Sequence, residues 1–158
     1  MMGPALLAVA ALAVACAAGG PMGGGEMGEE RPFETILNQT TSGLGERTRE
    51  VIRDEDAWAR LWERIQEGVS PRPALPPVDF SRHMIIAVAT GARPTGGFGI
   101  AVKSVATRGD RLEVRVVETC PPRGAIVIMV LTQPVAVVRL DKLDQAPTFL
   151  ESKDPSCR

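Results

Sequence analysis

Residues 84–89 read Met-Ile-Ile-Ala-Val-Ala, an apolar run without alternation. Successive side chains of a strand point to opposite faces, so a strand with one wet face alternates apolar with polar. A run that does not alternate fits a central strand covered on both faces. This one segment asks for a layered fold, and the rest of the chain has to supply the cover.

The clearest cover is an amphipathic helix from Asp54 to Glu67. Trp58, Leu61, Trp62 and Ile65 fall at i, i+3, i+4 and i+7, one apolar stripe. Arg60, Glu63, Arg64 and Glu67 occupy the wet side. Asp54 is placed to cap the first turn, Glu55 and Asp56 favour the positive end of the dipole, and Gly68 offers a stop. Tryptophans at this spacing read as core.

The remaining segments read mostly as strands. Phe33–Gln39 is a first strand and Arg47–Arg53 a short, charged edge strand. Residues 70–78, SPRPALPPV, carry four prolines and form an extended connector. Ile100–Ala106 is a further strand. Leu112, Val114 and Val116 alternate with charged residues, as a half-exposed strand does. Between them lies Arg108-Gly109-Asp110, a tripeptide shared with cell-adhesion motifs that a glycine turn in a hairpin explains. Glu118–Gly124 is a loop. Ile126–Leu131 and Val135–Leu140 read as a last strand pair joined at Thr132-Gln133-Pro134, with Pro134 at a strand start or edge. Strands in succession with one helix give an α+β fold: a largely antiparallel β-sheet with one amphipathic helix packed on it. The chain has 158 residues, enough for a single domain, expected at 32–150 with a C-terminal tail at 151–158.

The N-terminus reads as an address. Residues 1–15, MMGPALLAVAALAVA, are too short for a membrane-spanning helix and sized for a signal peptide. Leu12-Ala13-Val14-Ala15 before Cys16 resembles a bacterial lipobox, in which the cysteine is lipidated and becomes the new N-terminus. It departs from that pattern at Ala13, where leucine is usual, and Ala13-Val14-Ala15 also fits an ordinary cleavage site. The expectation is a lipid-anchored envelope protein, the alternative a secreted or periplasmic soluble one. Residues 16–31 then give a lipidated cysteine and a glycine-rich linker. Export makes a Cys120–Cys157 disulfide attractive, and two unpaired thiols are the alternative. A bridge closing about 37 residues contributes ~3–4 kcal/mol in the chain-entropy picture.

The glycine-rich stretch 90–100, TGARPTGGFGI, looks at first like a phosphate cradle. A P-loop needs Lys followed by Ser or Thr opening a helix, and a dinucleotide fingerprint also needs a helix. Here a strand follows, so Gly96 and Gly97 read as backbone geometry in a tight loop. His83 is the single histidine, which rules out a His-rich metal site, and no CxxC or HExxH is present. Glu113 and Glu118 remain open as acid–base groups on spacing alone. No cofactor and no metal are expected, and the net charge of −1 with no basic block gives no sign of nucleic acid.

Five stretches, in order from about Thr40 to Asp141, resemble the PrcB family, named for an accessory subunit of a bacterial surface protease complex. They are DEDAWARLW, LPPVDFSRHMIIAVATG, PTGGFGIAV, RLEVRVVETCPP and LTQPVAVVRL. The PTGG loop before a strand and the TQP turn are the most specific. Phe98 stands where family members often carry Tyr, and Val135 where they carry Tyr or another aromatic. The resemblance implies a non-catalytic envelope lipoprotein that binds or stabilises a partner protein, with an exported protease as the partner class. The expected contact residues are Pro94, Thr95, Gly96, Gly97, Phe98, Gln133 and Pro134, and no catalytic residues are implied. The rival readings are a small-ligand or polysaccharide binder and, behind it, a hydrolase of unfamiliar type. With two Trp in the helix stripe, four Phe and no Tyr, the chain is poorly equipped for sugar stacking.

Overall fold

The computed structural model describes residues 28–157. The expected signal segment, Cys16 and the linker as far as residue 27 lie outside the described residues. The elements are β1 (Glu29–Glu30), β2 (Phe33–Gln39), β3 (Arg47–Ile52), α1 (Glu55–Ile65), β4 (His83–Thr90), β5 (Gly99–Arg108), β6 (Arg111–Thr119), β7 (Val135–Asp141) and β8 (Ala146–Lys153). The α+β class holds, but the strands form two sheets where one was expected. One has the order β2-β7-β4-β3 and the other β1-β5-β6-β8. Pairing is antiparallel except between β6 and β8, which run parallel with Arg111 opposite Ala146 and Glu118 opposite Lys153.

The second sheet is the missing cover. On β4, Met84, Ile86 and Val88 face a core shared with Val105 of β5 and Leu112, Val114 and Val116 of β6. Ile85, Ala87 and Ala89 face the opposite way, into a core with Trp58, Leu61, Trp62 and Ile65 of α1. The neighbouring β7 divides likewise, with Ala136, Val138 and Leu140 between the sheets and Val135 and Val137 under the helix. The result is three layers with β4 and β7 in the middle.

Local chemistry fixes the helix layer. The Asp54 carboxylate accepts from the Ala57 N–H at 2.8 Å, as an N-cap does. Both tryptophans send indole N–H groups into the proline-rich connector: Trp58 donates to Pro76 O and Trp62 to Pro73 O, each at 3.0 Å. Prolines contribute carbonyls without competing N–H groups, so an extended proline segment is a natural acceptor strip. The connector is thereby bound along the helix.

Four boundaries differ from the sequence reading. Glu29–Glu30 pairs with β5, and Arg31 N–H donates to Val105 O at 2.7 Å, so the linker ends before these residues. Ile126–Leu131 belongs to no strand, and β7 pairs with β2 and β4 and not with that segment. An unexpected strand, β8, lies in 146–153. Residues beyond 150 are not a loose tail: β8 runs on to Lys153, a 3-10 turn follows at Pro155–Cys157, and Cys157 is bonded to Cys120 with Cα atoms 4.9 Å apart.

Double coverage of β4 has a direct consequence. Ile86→Ala, facing the second sheet, and Ile85→Ala, facing the helix, should each lower the unfolding free energy by about 2–5 kcal/mol, read from urea midpoints. A near-neutral result for either would mean that face is not close-packed.

Candidate functional site

Four connections carry the chain between the sheets, and two of them build the candidate site: residues 91–98 from β4 to β5, and 120–134 from β6 to β7. The registers put them at the same end, because Ala89 lies opposite Val135 and Gly99 opposite Thr119. They run side by side. Arg93 and Thr132 form an antiparallel bridge, exchanging backbone hydrogen bonds of 2.7 and 2.9 Å. The buried Thr132 hydroxyl donates to Thr95 O at 2.9 Å, and Gly96 N–H donates to Ile128 O at 2.9 Å. The loop 94–98 and the turn 132–134 therefore do meet.

Their side chains are not equally available. Pro94 and Gly97 are exposed, while Thr95, Phe98 and Gln133 are half-buried. Gly96 and Pro134 are buried and offer little surface to a partner. A Cβ on Gly96 would stand 2.7 Å from Ile128 Cγ1, and one on Gly97 would stand 2.8 Å from Pro121 Cβ. Gly97 also has φ +86°. The glycines let the second connection lie directly on the first. Gln133 and Pro134 serve the framework: Ser42 Oγ donates to Gln133 O at 2.8 Å, Gln133 N–H to Thr40 O at 3.0 Å, and Thr90 N–H to Pro134 O at 3.1 Å.

What the sequence reading missed is the surface these loops display. Ile126, Ile128, Met129, Val130 and Leu131 are all exposed. Of these, Ile126, Ile128 and Val130 border a groove of about 340 Å³ together with Val127, Thr132, Thr40, Thr41, Gly96 and Gly97. A warning sign was available, since seven uncharged residues from Ala125 to Leu131 do not alternate and so fit no half-buried strand.

Beside the groove an ion network locks the two sheets together. Glu118, on β6 and nearly buried, lies 2.9 Å from the Arg93 guanidinium, 3.4 Å from Arg49 and 3.6 Å from Arg47. Both β3 arginines also pair with Glu151 of β8. Burial, and then the charge of Arg47, pull Arg49 below the usual guanidinium range, while Glu118 pushes it back up. Arg93 in addition stacks over Phe98, 5.7 Å from the ring centroid.

The groups left open for chemistry have structural partners. Both Glu118 oxygens are engaged by guanidinium groups, and Glu113 pairs with Arg108 at 3.0 Å. His83 Nε2 sits 3.9 Å from Asp141 at the start of β4. Gly109, with φ +56°, and Asp110 form the two-residue turn between β5 and β6, where Arg108 lies opposite Arg111. Among the described residues no group of three or more His, Cys, Asp or Glu side chains is placed to hold a metal.

Residues 84–141 match the family model for the PrcB C-terminal domain. The PrcB C-terminal match spans β4 to β7 with the connections 91–98 and 120–134, and so contains the whole groove apart from Thr40 and Thr41. Residues outside it supply α1, β2 and β3 of the helix-covered sheet, and β1 and β8 of the other. No curated protein and no solved structure matches the chain.

The network makes Glu118 a structural residue. Glu118→Ala should cost about 3–5 kcal/mol, because it takes a nearly buried carboxylate from nearly buried Arg49 and part-exposed Arg93. Glu113→Ala, which breaks a partly exposed pair, should cost under about 1 kcal/mol. Chemical denaturation of both variants reads the contrast, and equal costs would contradict it.

Proposed function

We propose that this chain is a non-catalytic cell-envelope domain, anchored through a lipid on Cys16, that docks on a partner protein. The proposed partner class is an exported protease, which this chain stabilises without sharing its chemistry. The observation that carries the reading is the PrcB C-terminal match over the residues that build the groove. The PrcB family is associated with a protease as an accessory subunit, and the matched segment leaves an apolar surface uncovered. The polar groups around the groove support the same reading, since Glu118, Arg93, Thr132 and Thr95 bond to one another or to the backbone. Pro94 and Gly97 are the exposed contact residues, and Thr95, Phe98 and Gln133 add half-buried side chains.

A polysaccharide binder would present aromatic faces to sugar rings. Trp58 and Trp62 are buried under the helix. A second groove, of about 410 Å³, is lined by Glu30, Arg31 and Lys103 together with Pro32 and Phe33. Phe33 is the one aromatic there and packs against the inter-sheet core, so neither observation favours a sugar.

The test is a photo-crosslinking side chain placed at exposed Pro94 in the producing cell. One adduct of defined mass, identified by mass spectrometry as an exported protein, is expected, and Gln133→Arg should reduce it at least tenfold. Adducts with glycan alone, or none, would remove the docking reading. In the same cells Cys16→Ser should move the chain from the membrane to the soluble fraction. An unchanged distribution would remove the lipid anchor.

A further inference from the structure

Two methionines fall among the described residues, and their environments are opposite. Met84 lies inside β4 at 0% exposure, whereas Met129 is 84% exposed on the second connection. The other easily oxidised side chains are shielded. Trp58 and Trp62 are buried, and the chain has no tyrosine. Cys120 and Cys157 are already joined as a disulfide. Among the described residues the Met129 thioether is thus the readily oxidised group that a reagent in water can reach.

Its neighbours decide what oxidation would do. Ile128 and Val130 on either side border the groove, and no charged or polar side chain occurs from Ala125 to Leu131. The thioether belongs to the same exposed apolar surface. One added oxygen changes that surface in kind, because a sulfoxide is polar where a thioether is apolar. We propose that Met129 is an oxidation site, at which hydrogen peroxide converts the thioether to a sulfoxide and takes its side chain out of the apolar surface.

In this step the sulfur lone pair attacks one peroxide oxygen. The S–O bond forms as the O–O bond breaks. The departing oxygen takes the proton of the transferred one and leaves as water. Sulfur gives up two electrons and the peroxide gains them. At Met129 nothing in the fold has to open for this, since the side chain already lies in water. At Met84, packed in the core between the sheets, the same step waits on opening of the sandwich. In the free protein the new oxygen at residue 129 is hydrated and leaves the fold undisturbed. Under an apolar partner surface it is an acceptor buried without a donor, which is unfavourable. That last consequence, weaker docking, rests on the function proposed above, and the oxidation itself does not.

The experiment treats the full chain carrying Cys16→Ser with hydrogen peroxide and follows each methionine by peptide mass. Met129 should gain one oxygen at least about tenfold faster than Met84, and urea should bring the two rates together. Chain oxidised at Met129 should leave a phenyl column earlier, with an unchanged melting temperature. Met129→Leu, which keeps Met22 and Met27, should lose most of that shift. Equal rates at Met129 and Met84 in the folded chain overturn the proposal. So does oxidation at Met129 with unchanged retention. In the producing cell, peroxide given before crosslinking should lower the Pro94 adduct about tenfold in the parent chain and leave it unaffected in Met129→Leu. A loss shared by Met129→Leu would place the sensitive group elsewhere and overturn the effect on docking. Absence of the adduct without peroxide would remove the docking reading, while the rates and the retention would still measure Met129.

Discussion

The structure depends on covering two adjacent strands, β4 and β7, from both sides. An interior strand with apolar side chains on both faces cannot rest on one helix. It needs a second apolar layer about 10 Å away. Here α1 with its proline strap supplies one layer and the β5–β6 hairpin the other. That arrangement makes the chain change sheets after β4 and again after β6. Both crossings fall at one end of the sandwich because β4 and β7 are antiparallel neighbours, as are β5 and β6. The candidate site is therefore a product of the core, being the place where two sheet-changing connections have to pass.

Passing closely requires particular residues. Gly96 and Gly97 remove the side chains that would strike Ile128 and Pro121. Thr132 ties the two connections through both its backbone and its hydroxyl. Behind them, Glu118 gathers arginines from β3 and from the first connection, joining the sheets where their packing opens. The Cys120–Cys157 bridge starts two residues further on and pins the second connection to the end of β8. One end of the molecule is thus held by polar and covalent links, with an apolar peptide left over on top.

The sequence was most legible where residues repeat at the period of their element. The stripe Trp58, Leu61, Trp62 and Ile65 is buried as its spacing implies, and the unalternating run in β4 is covered on both sides. It was least legible where partners decide. Phe149 of β8 packs against the inter-sheet core, but most of that strand is exposed, so it leaves no periodic trace. Ile126–Leu131 has the composition of a strand and no strand beside it, because composition reports preference and not pairing. For the contact set, the proximity of 94–98 to 133–134 was taken from the sequence only as a condition, which the Arg93–Thr132 bridge meets. The burial of Gly96 and Pro134 was not legible, since it follows from the long-range contacts to Ile128 and Thr90.

Residues 124–138 contain no charge at all, yet they end in opposite environments. Val135–Val138 forms the middle of the protein, while Ile126–Leu131 lies in water. The divide falls at Thr132–Pro134, where the chain is bonded to Arg93, Thr40 and Thr90 and turns into the sheet. Beyond that point β7 finds β2 and β4 on its two sides, and before it the segment finds residues 93–96 on one side only. The driving force that buries the first part, roughly 25 cal/mol per Å² of apolar surface, is unspent in the second. A free energy of that kind is non-directional and suits association. Chemistry would need polar groups held free and aimed, and the polar side chains at this end are engaged with one another. The same physical term therefore accounts for the rigid centre and for a surface whose natural use is to be covered.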